Sequence, residues 1–220
     1  QLHQDALTAW TEAVDQNSTA QKALAKALAD AKSAQSITAD QVADGATIDT
    51  LKKAIAAVKN VEAVECKTSA STSDLKEYAK TATSQTKTAK KNATAITAAA
   101  KAVTDSKNAK DQANAQQALQ SKIAEAQTLL DNSLYAVDDN STRVTLESDI
   151  ANANTVLSQQ GTDVKAMQDA VNTLTASMDA VNTSMANYSA AVEAQREAAR
   201  QKALNDYYAR LRQQQLLQQR

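Results

Sequence analysis

Apolar residues recur along the chain at steps of three and four residues, which is the spacing of one face of an α-helix. In the second half three such stripes follow one another: Leu119, Ile123, Ala126 and Leu130; then Leu146, Ile150, Ala153 and Leu157; then Val164, Met167, Val171, Leu174, Met178 and Val181. Capping residues precede the later stripes, Ser141 or Thr142 before the second and Thr162 with Asp163 before the third. The pattern predicts a three-helix bundle.

The first half repeats this pattern at an offset of 95 residues. Through two helices and the loop between them, Leu24, Leu28, Ala31, Val42, Asp44, Gly45, Thr47, Leu51 and Ile55 fall on Leu119, Ile123, Ala126, Val137, Asp139, Asn140, Thr142, Leu146 and Ile150. Val58 and Val61 extend the match. The repeat predicts two copies of one unit, with Ile55 and Ile150 both facing a core.

The chain has only two glycines and no proline in 220 residues. Because both residues are excluded from helix interiors, we expect a helix content above roughly 75% and no sheet. Neither residue occurs between Leu75 and Leu130, so one long helix is expected there, capped by Thr72, Ser73 and Asp74. The alternative is a kink or break at its weakest stretch, Asn108 to Asn114. The predicted fold is all-α, with elongated tandem three-helix bundles sharing this continuous helix as a spectrin-like rod.

Four segments follow from these patterns. Residues 1–20 form an N-terminal helix leading into the first unit, residues 21–110 form the first bundle unit, and residues 111–184 form the second. The third stripe continues through Met185, Tyr188 and Val192. Residues 185–220 are therefore expected to form a helical extension that projects from the bundle, because too few helices remain to cover it.

The second unit resembles the FIVAR module, the "found in various architectures region" of bacterial cell-surface and secreted proteins. The residues that carry the resemblance lie in all three helices and in the connection between the first two: Leu119, Ile123 and Ala126; Tyr135; Thr142, Leu146, Ile150, Ala153, Val156 and Leu157; and Thr162, Val164, Val171 and Leu174. The family often has an aromatic residue after the threonine, where this chain has Arg143 and Val144. The resemblance implies a surface or secreted setting and a spacer or binding role, and it supplies no catalytic residues.

Candidate chemistry is sparse. His3 is the only histidine and Cys66 the only cysteine, whereas a catalytic triad or a zinc site needs several such groups in one place. We therefore expect no enzymatic activity, no cofactor and no metal. Asp138, Asp139 and Asn140 with Asp131 have the oxygens to hold a cation; the competing interpretation is a capping loop before Ser141.

Two side chains allow more than one interpretation. Cys66 is either a partly buried, inert thiol or a reactive one. Trp10 lies in helical register with Leu7 and Val14, which favours packing over stacking on a sugar ring.

The net charge of −1 gives no global attraction to nucleic acid, and no apolar run approaches the roughly 20 residues of a membrane span. We expect neither nucleic-acid binding nor membrane insertion. Leu204, Tyr207, Tyr208 and Leu211 form a short amphipathic patch among arginines, suited to a partner helix or an anionic surface. The competing interpretation is packing of the helix end on a neighbouring bundle or copy.

The expected function is a non-catalytic helical stalk or spacer of a bacterial cell-surface or secreted protein. Its expected partners are another protein, neighbouring repeats of the same parent chain or a host surface ligand, and its setting is extracellular or the bacterial cell surface. One alternative is an adhesin-type binding module for a host protein or glycan. Another is the regulatory helical arm of a cell-wall hydrolase whose catalytic domain lies outside this chain.

Overall fold

The computed structural model describes residues 1–64, 69–159, 161 and 163–219. This part of the chain is 85% helical and contains no strand, which confirms the predicted all-α class. Its α-helices are α1 (Leu2–Asp30), α2 (Lys32–Gln35), α3 (Ala46–Ala56), α4 (Thr72–Asn132), α5 (Ser141–Ser158) and α6 (Val164–Gln218). A short 3-10 turn, Ala39–Gln41, lies between α2 and α3.

The chain divides into two compact units, Gln1–Asp111 and Gln112–Arg220, and the boundary falls within α4. α4 covers the range 75–130 for which one helix was expected. Its start is capped differently from the prediction: the backbone N–H of Asp74 donates to Ser71 Oγ at 3.1 Å, so Ser71 is the capping residue. Thr72, Ser73 and Asp74 already lie inside the helix.

The predicted stripes supply the core of the second unit and, on its first two helices, part of the core of the first, to which Ile96 and Val103 add residues that no stripe predicted. In the first unit the fully buried large residues are Leu51, Ile96 and Val103 in the main cluster and Leu75 in a separate cluster with Trp10. In the second unit they are Leu119, Leu146, Leu174 and Val181. Ile150 is buried in the second core, and Ile55 is partly buried against the first. Many remaining core positions are alanines, which allow helices to approach closely.

The loop that joins the first two helices of each unit is held by the same hydrogen bonds in both. In the second unit the N–H groups of Asp138 and Asp139 donate to the carbonyl oxygen and the Oγ of Ser184, at 3.1 and 2.7 Å. In the first unit the N–H groups of Ala43 and Asp44 donate to the corresponding atoms of Ser106, at 3.0 and 2.8 Å. We call this arrangement the loop clasp. The two loops differ by 95 residues, but the two serines differ by 78.

The third helix therefore repeats at an offset of 78 residues. At this offset buried positions of α4 fall on buried positions of α6: Ala89 on Met167, Ile96 on Leu174, Ala99 on Ser177, and Val103 on Val181. Only Val103 and Val181 are identical among these pairs, and Ala89 is much smaller than Met167, which obscures the match in the sequence.

A longer connection in the first unit, residues 57–71 against 159–163, accounts for part of the difference between the offsets, and an earlier start of α4 relative to α6 adds to it. α3 ends at Ala56, whereas α5 continues to Ser158. The predicted extension of the match through Val61 is wrong, since Val61 lies outside any helix with 41% of its surface exposed. β-Branched residues and asparagine after Ala57 favour helix less than the alanines and lysines before it, in keeping with the end of α3 there.

Side-chain amides fasten this connection to the helices. Gln85 Nε2 donates to the carbonyl oxygen of Glu62 at 3.2 Å, and Asn17 Nδ2 donates to Gln85 Oε1 at 2.7 Å. Asn17 is buried, so its amide is satisfied within the protein rather than by bulk water. The network links α1, α4 and the connection in the first unit.

Candidate interaction surface

α6 continues for more than thirty residues beyond Ser184, its last buried residue. Among residues 186–219 the structure shows none that is buried, and we call residues 185–219 the arm. Arg200 pairs with Glu197 at 2.6 Å and with Glu193 at 3.4 Å, and Lys202 pairs with Asp206 at 3.0 Å. The Arg200–Glu197 and Lys202–Asp206 pairs are three and four residues apart, a spacing that stabilises isolated helices, so the arm is supported by its own side chains.

The four patch residues predicted from the sequence lie together on one face of the arm. Leu204, Tyr207 and Tyr208 are exposed, at 45, 57 and 51%, and Leu211 is partly buried. The two tyrosine rings meet edge to face with centroids 5.7 Å apart. A patch of this kind, exposed and aromatic, is typical of an interaction surface.

A second exposed apolar group follows the end of α4. Leu134, Tyr135 and Val144 are all exposed, Tyr135 at 86%. Tyr135 also has a φ of 60°, in the left-handed region that bulky residues rarely adopt. The sequence had marked Tyr135 only through the family resemblance. The 95-residue offset contains a further signal, because the first unit has Asp40 and Asp49 where the second has Tyr135 and Val144.

Charged groups occupy this end of the first unit. The pKa of Asp40 lies below its ordinary value, chiefly because the Thr38 hydroxyl donates to its carboxylate at 2.5 Å, and more weakly because of the positive charge of Lys110. At the offset of the third helix, Lys110 corresponds to Tyr188, which is 38% exposed. An acidic residue and a lysine in the first unit are thus replaced by two tyrosines in the second.

The structure assigns the Asp138–Asn140 loop to capping. The carboxylate of Asp139 accepts hydrogen bonds from the backbone N–H and the hydroxyl of Ser141, both at 2.8 Å, and these bonds lower the pKa of Asp139. Asp131 accepts from the amide of Gln127 at 3.1 Å instead of joining the loop carboxylates. Within the described ranges no three potential ligands come together in a way that would hold a metal ion.

The remaining candidates lie apart from one another. His3 Nδ1 is 3.0 Å from the hydroxyl of Thr72, on an exposed surface. Trp10 is only 2% exposed and packs against Ala6 and Leu75, so the packing interpretation is correct and its ring is not available for a sugar. Cys66 lies outside the described residues.

Arg143 has a structural role that the sequence did not reveal. Its guanidinium donates to the carbonyl oxygen of Leu130 and to Ser133 Oγ, both at 3.0 Å, and so satisfies groups at the end of α4. In the first unit the corresponding residue is Ile48, which is buried in the core. The same position is thus filled by an apolar contact in one unit and by a charged cap in the other.

No protein-family model matches the chain, and neither the curated proteins nor the solved structures include a match. In the part of the chain that the structure describes, no helix is both long and apolar enough to span a membrane.

Proposed function

We propose that the chain is a non-catalytic helical stalk or spacer segment of a bacterial cell-surface or secreted protein. The observation that carries the proposal is the repeated unit, in which two loops make the same clasp onto Ser106 and Ser184. Proteins that repeat one helical unit along the chain grow by adding units whose contacts are mainly with their neighbours. Adding units in this way lengthens the protein and requires no catalytic site in any of them.

The core of the second unit supports its assignment as FIVAR-like. Leu119, Ala126, Leu146, Ile150 and Ala153, which carry the resemblance, are all buried in one cluster. The motif residues are therefore those on which the packing of the unit depends, as expected for a module defined by its fold rather than by an active site.

We expect small-angle X-ray scattering to give a radius of gyration well above 17 Å, the approximate value for a compact chain of this length. The proposal implies this value because repeated units that contact mainly their neighbours lengthen a protein as they are added. The measurement is extrapolated to zero concentration, so that association between copies does not contribute. A value near 17 Å at infinite dilution contradicts the spacer proposal.

An adhesin-type module is the second candidate, favoured by the exposed tyrosines at positions 135, 207 and 208. Saturable binding of a host glycan or matrix protein, lost on Tyr135→Ala or Tyr207→Ala, selects it over a passive spacer. The hydrolase-arm alternative is decided by the parent gene, through the presence or absence of a catalytic domain, an export signal and a wall-anchoring tail.

A further inference from the structure

One face of α6 is symmetric about a point between Arg196 and Glu197. On each side of this point, steps of three and four residues, which follow one face of a helix, connect the members of this face, and the two central residues are adjacent in sequence; we call the whole set the arm face. They are Asn182, Ala186, Ser189, Glu193, Arg196, Glu197, Arg200, Leu204, Tyr207 and Leu211. All are exposed except Leu211, which is partly buried. The spacing is the same when it is counted from Leu211 back to Asn182. In an antiparallel pair of helices, each position of the arm face therefore lies opposite a position of the arm face of the second copy.

The charges at the centre of the arm face are complementary at all four positions in that antiparallel arrangement. Glu193 then lies opposite Arg200 of the second copy, and Arg196 lies opposite Glu197, each contact occurring twice. In a parallel pair with the same register, every one of these residues would face an identical charge. In the single chain these charged side chains form ion pairs with exposed residues of the same helix. Exposed ion pairs contribute little free energy, so replacing them with ion pairs between two copies costs little.

The sizes of the flanking side chains are also complementary. In the antiparallel register Leu204 lies opposite Ser189, Tyr207 opposite Ala186, and Tyr208 opposite Met185. Three of the four patch residues thus meet a small or flexible side chain, which helps two helices to interdigitate, and Leu211 lies opposite Asn182 at the edge of the paired segment. In such a pair the exposed patch of one copy packs on residues 185–189 of the other copy, the part of α6 that follows the bundle core of that copy.

We propose that two copies of this chain associate through the arm face as an antiparallel helix pair with two-fold symmetry. The paired segment, residues 182–211, is about 45 Å long at 1.5 Å per residue. Burial of the tyrosines and leucines supplies the affinity, and the central charges set orientation and register. The proposal is independent of the spacer function.

The test uses sedimentation equilibrium of the full chain and two charge variants. Glu193→Arg with Glu197→Arg makes all four central positions basic, and Arg196→Glu with Arg200→Glu makes them acidic. Each variant alone is expected to weaken self-association by at least about tenfold, because like charges then face each other. An equimolar mixture is expected to regain association as a heterodimer.

The matched control is Lys202→Glu with Asp206→Lys, which reverses an ion pair on the opposite side of the arm. It is expected to leave self-association unchanged. Circular dichroism of each variant verifies that the arm remains helical, and recovery in the mixture excludes unfolding as the cause of weakening. A wild-type chain that stays monomeric, variants that associate as well as wild type, or a mixture that does not recover would each overturn the proposal.

Orientation is tested by cross-linking in a Cys66→Ser background. Chains carrying Ser189→Cys and chains carrying Leu204→Cys are mixed and treated with a short bismaleimide. The antiparallel pair predicts cross-links between unlike chains and few between like chains. Efficient cross-linking of Leu204→Cys chains to one another indicates a parallel pair and contradicts the assignment.

Discussion

Leu174→Ala is expected to lower the free energy of unfolding of the second unit by about 2–5 kcal/mol. Leu174 is fully buried in the cluster that also contains Leu119, Leu146 and Val181. The substitution removes burial of a large side chain and leaves a cavity that the surrounding helices fill only in part. Urea unfolding followed by circular dichroism measures the loss.

Two further variants compare this loss of stability with the loss at the equivalent core position of the first unit and at an exposed position of the arm. Ile96 occupies the equivalent position in the first unit and is also fully buried, so Ile96→Ala is expected to cost a similar amount. Leu204→Ala, on the exposed arm, is expected to change the stability by no more than about 0.5 kcal/mol. Equal losses for Leu174→Ala and Leu204→Ala would show that the arm folds back onto a core.

Trp10→Ala is expected to destabilise the first unit by about 3–5 kcal/mol, because a large, almost fully buried ring is lost. The ring fills the space between the beginnings of α1 and α4, where Ala6 and Leu75 are its buried neighbours. The same urea unfolding experiment gives the magnitude. Since Trp10 is the only tryptophan, the wild-type emission spectrum is also expected to be shifted to the blue.

Trp10→Phe is the matched variant. Among the described residues the buried indole Nε1 has no hydrogen-bond partner, so this change removes no hydrogen bond and keeps most of the apolar volume. It is expected to cost clearly less than Trp10→Ala. A red-shifted wild-type emission, or a loss below about 1 kcal/mol on Trp10→Ala, would place the ring in solvent and contradict the packing.

The helices and most of the core could be predicted because they depend on local periodicity. Leu146 and Leu174 are identifiable from steps of three and four residues alone, since any helix with that spacing must bury the face that carries them. The same periodicity revealed the duplication wherever the two copies keep the same connection lengths, as between Leu51 and Leu146.

The offset of the third helix could not be predicted. The connection that follows Ala56 has no periodic pattern of apolar residues, so the spacing of apolar residues does not reveal its length. The first unit has Ala89 where the second has the larger Met167, which further weakens the similarity between the third helices of the two units. The shared hydrogen bonds of Ser106 and Ser184 fix the alignment, and the matching buried positions agree with it.

Some features of the candidate interaction surface could likewise be predicted from the sequence, and others could not. Tyr207 and Tyr208 could be placed on one face by their spacing, but their exposure depends on which helices are present to cover them. The left-handed backbone of Tyr135 and the capping role of Arg143 depend on how α4 ends in three dimensions. Such features follow from tertiary structure and have no equivalent in a periodic pattern.

The duplication of one clasped unit is tested most directly by amide hydrogen exchange of the two loops. The amides of Ala43, Asp44, Asp138 and Asp139 lie outside the helices, yet each donates to Ser106 or Ser184. All four are expected to be protected well beyond ordinary loop amides, and Ser184→Ala is expected to reduce the protection of Asp139 while leaving Asp44 unchanged. Protection in only one loop, or rapid exchange in both, would contradict the repeated unit.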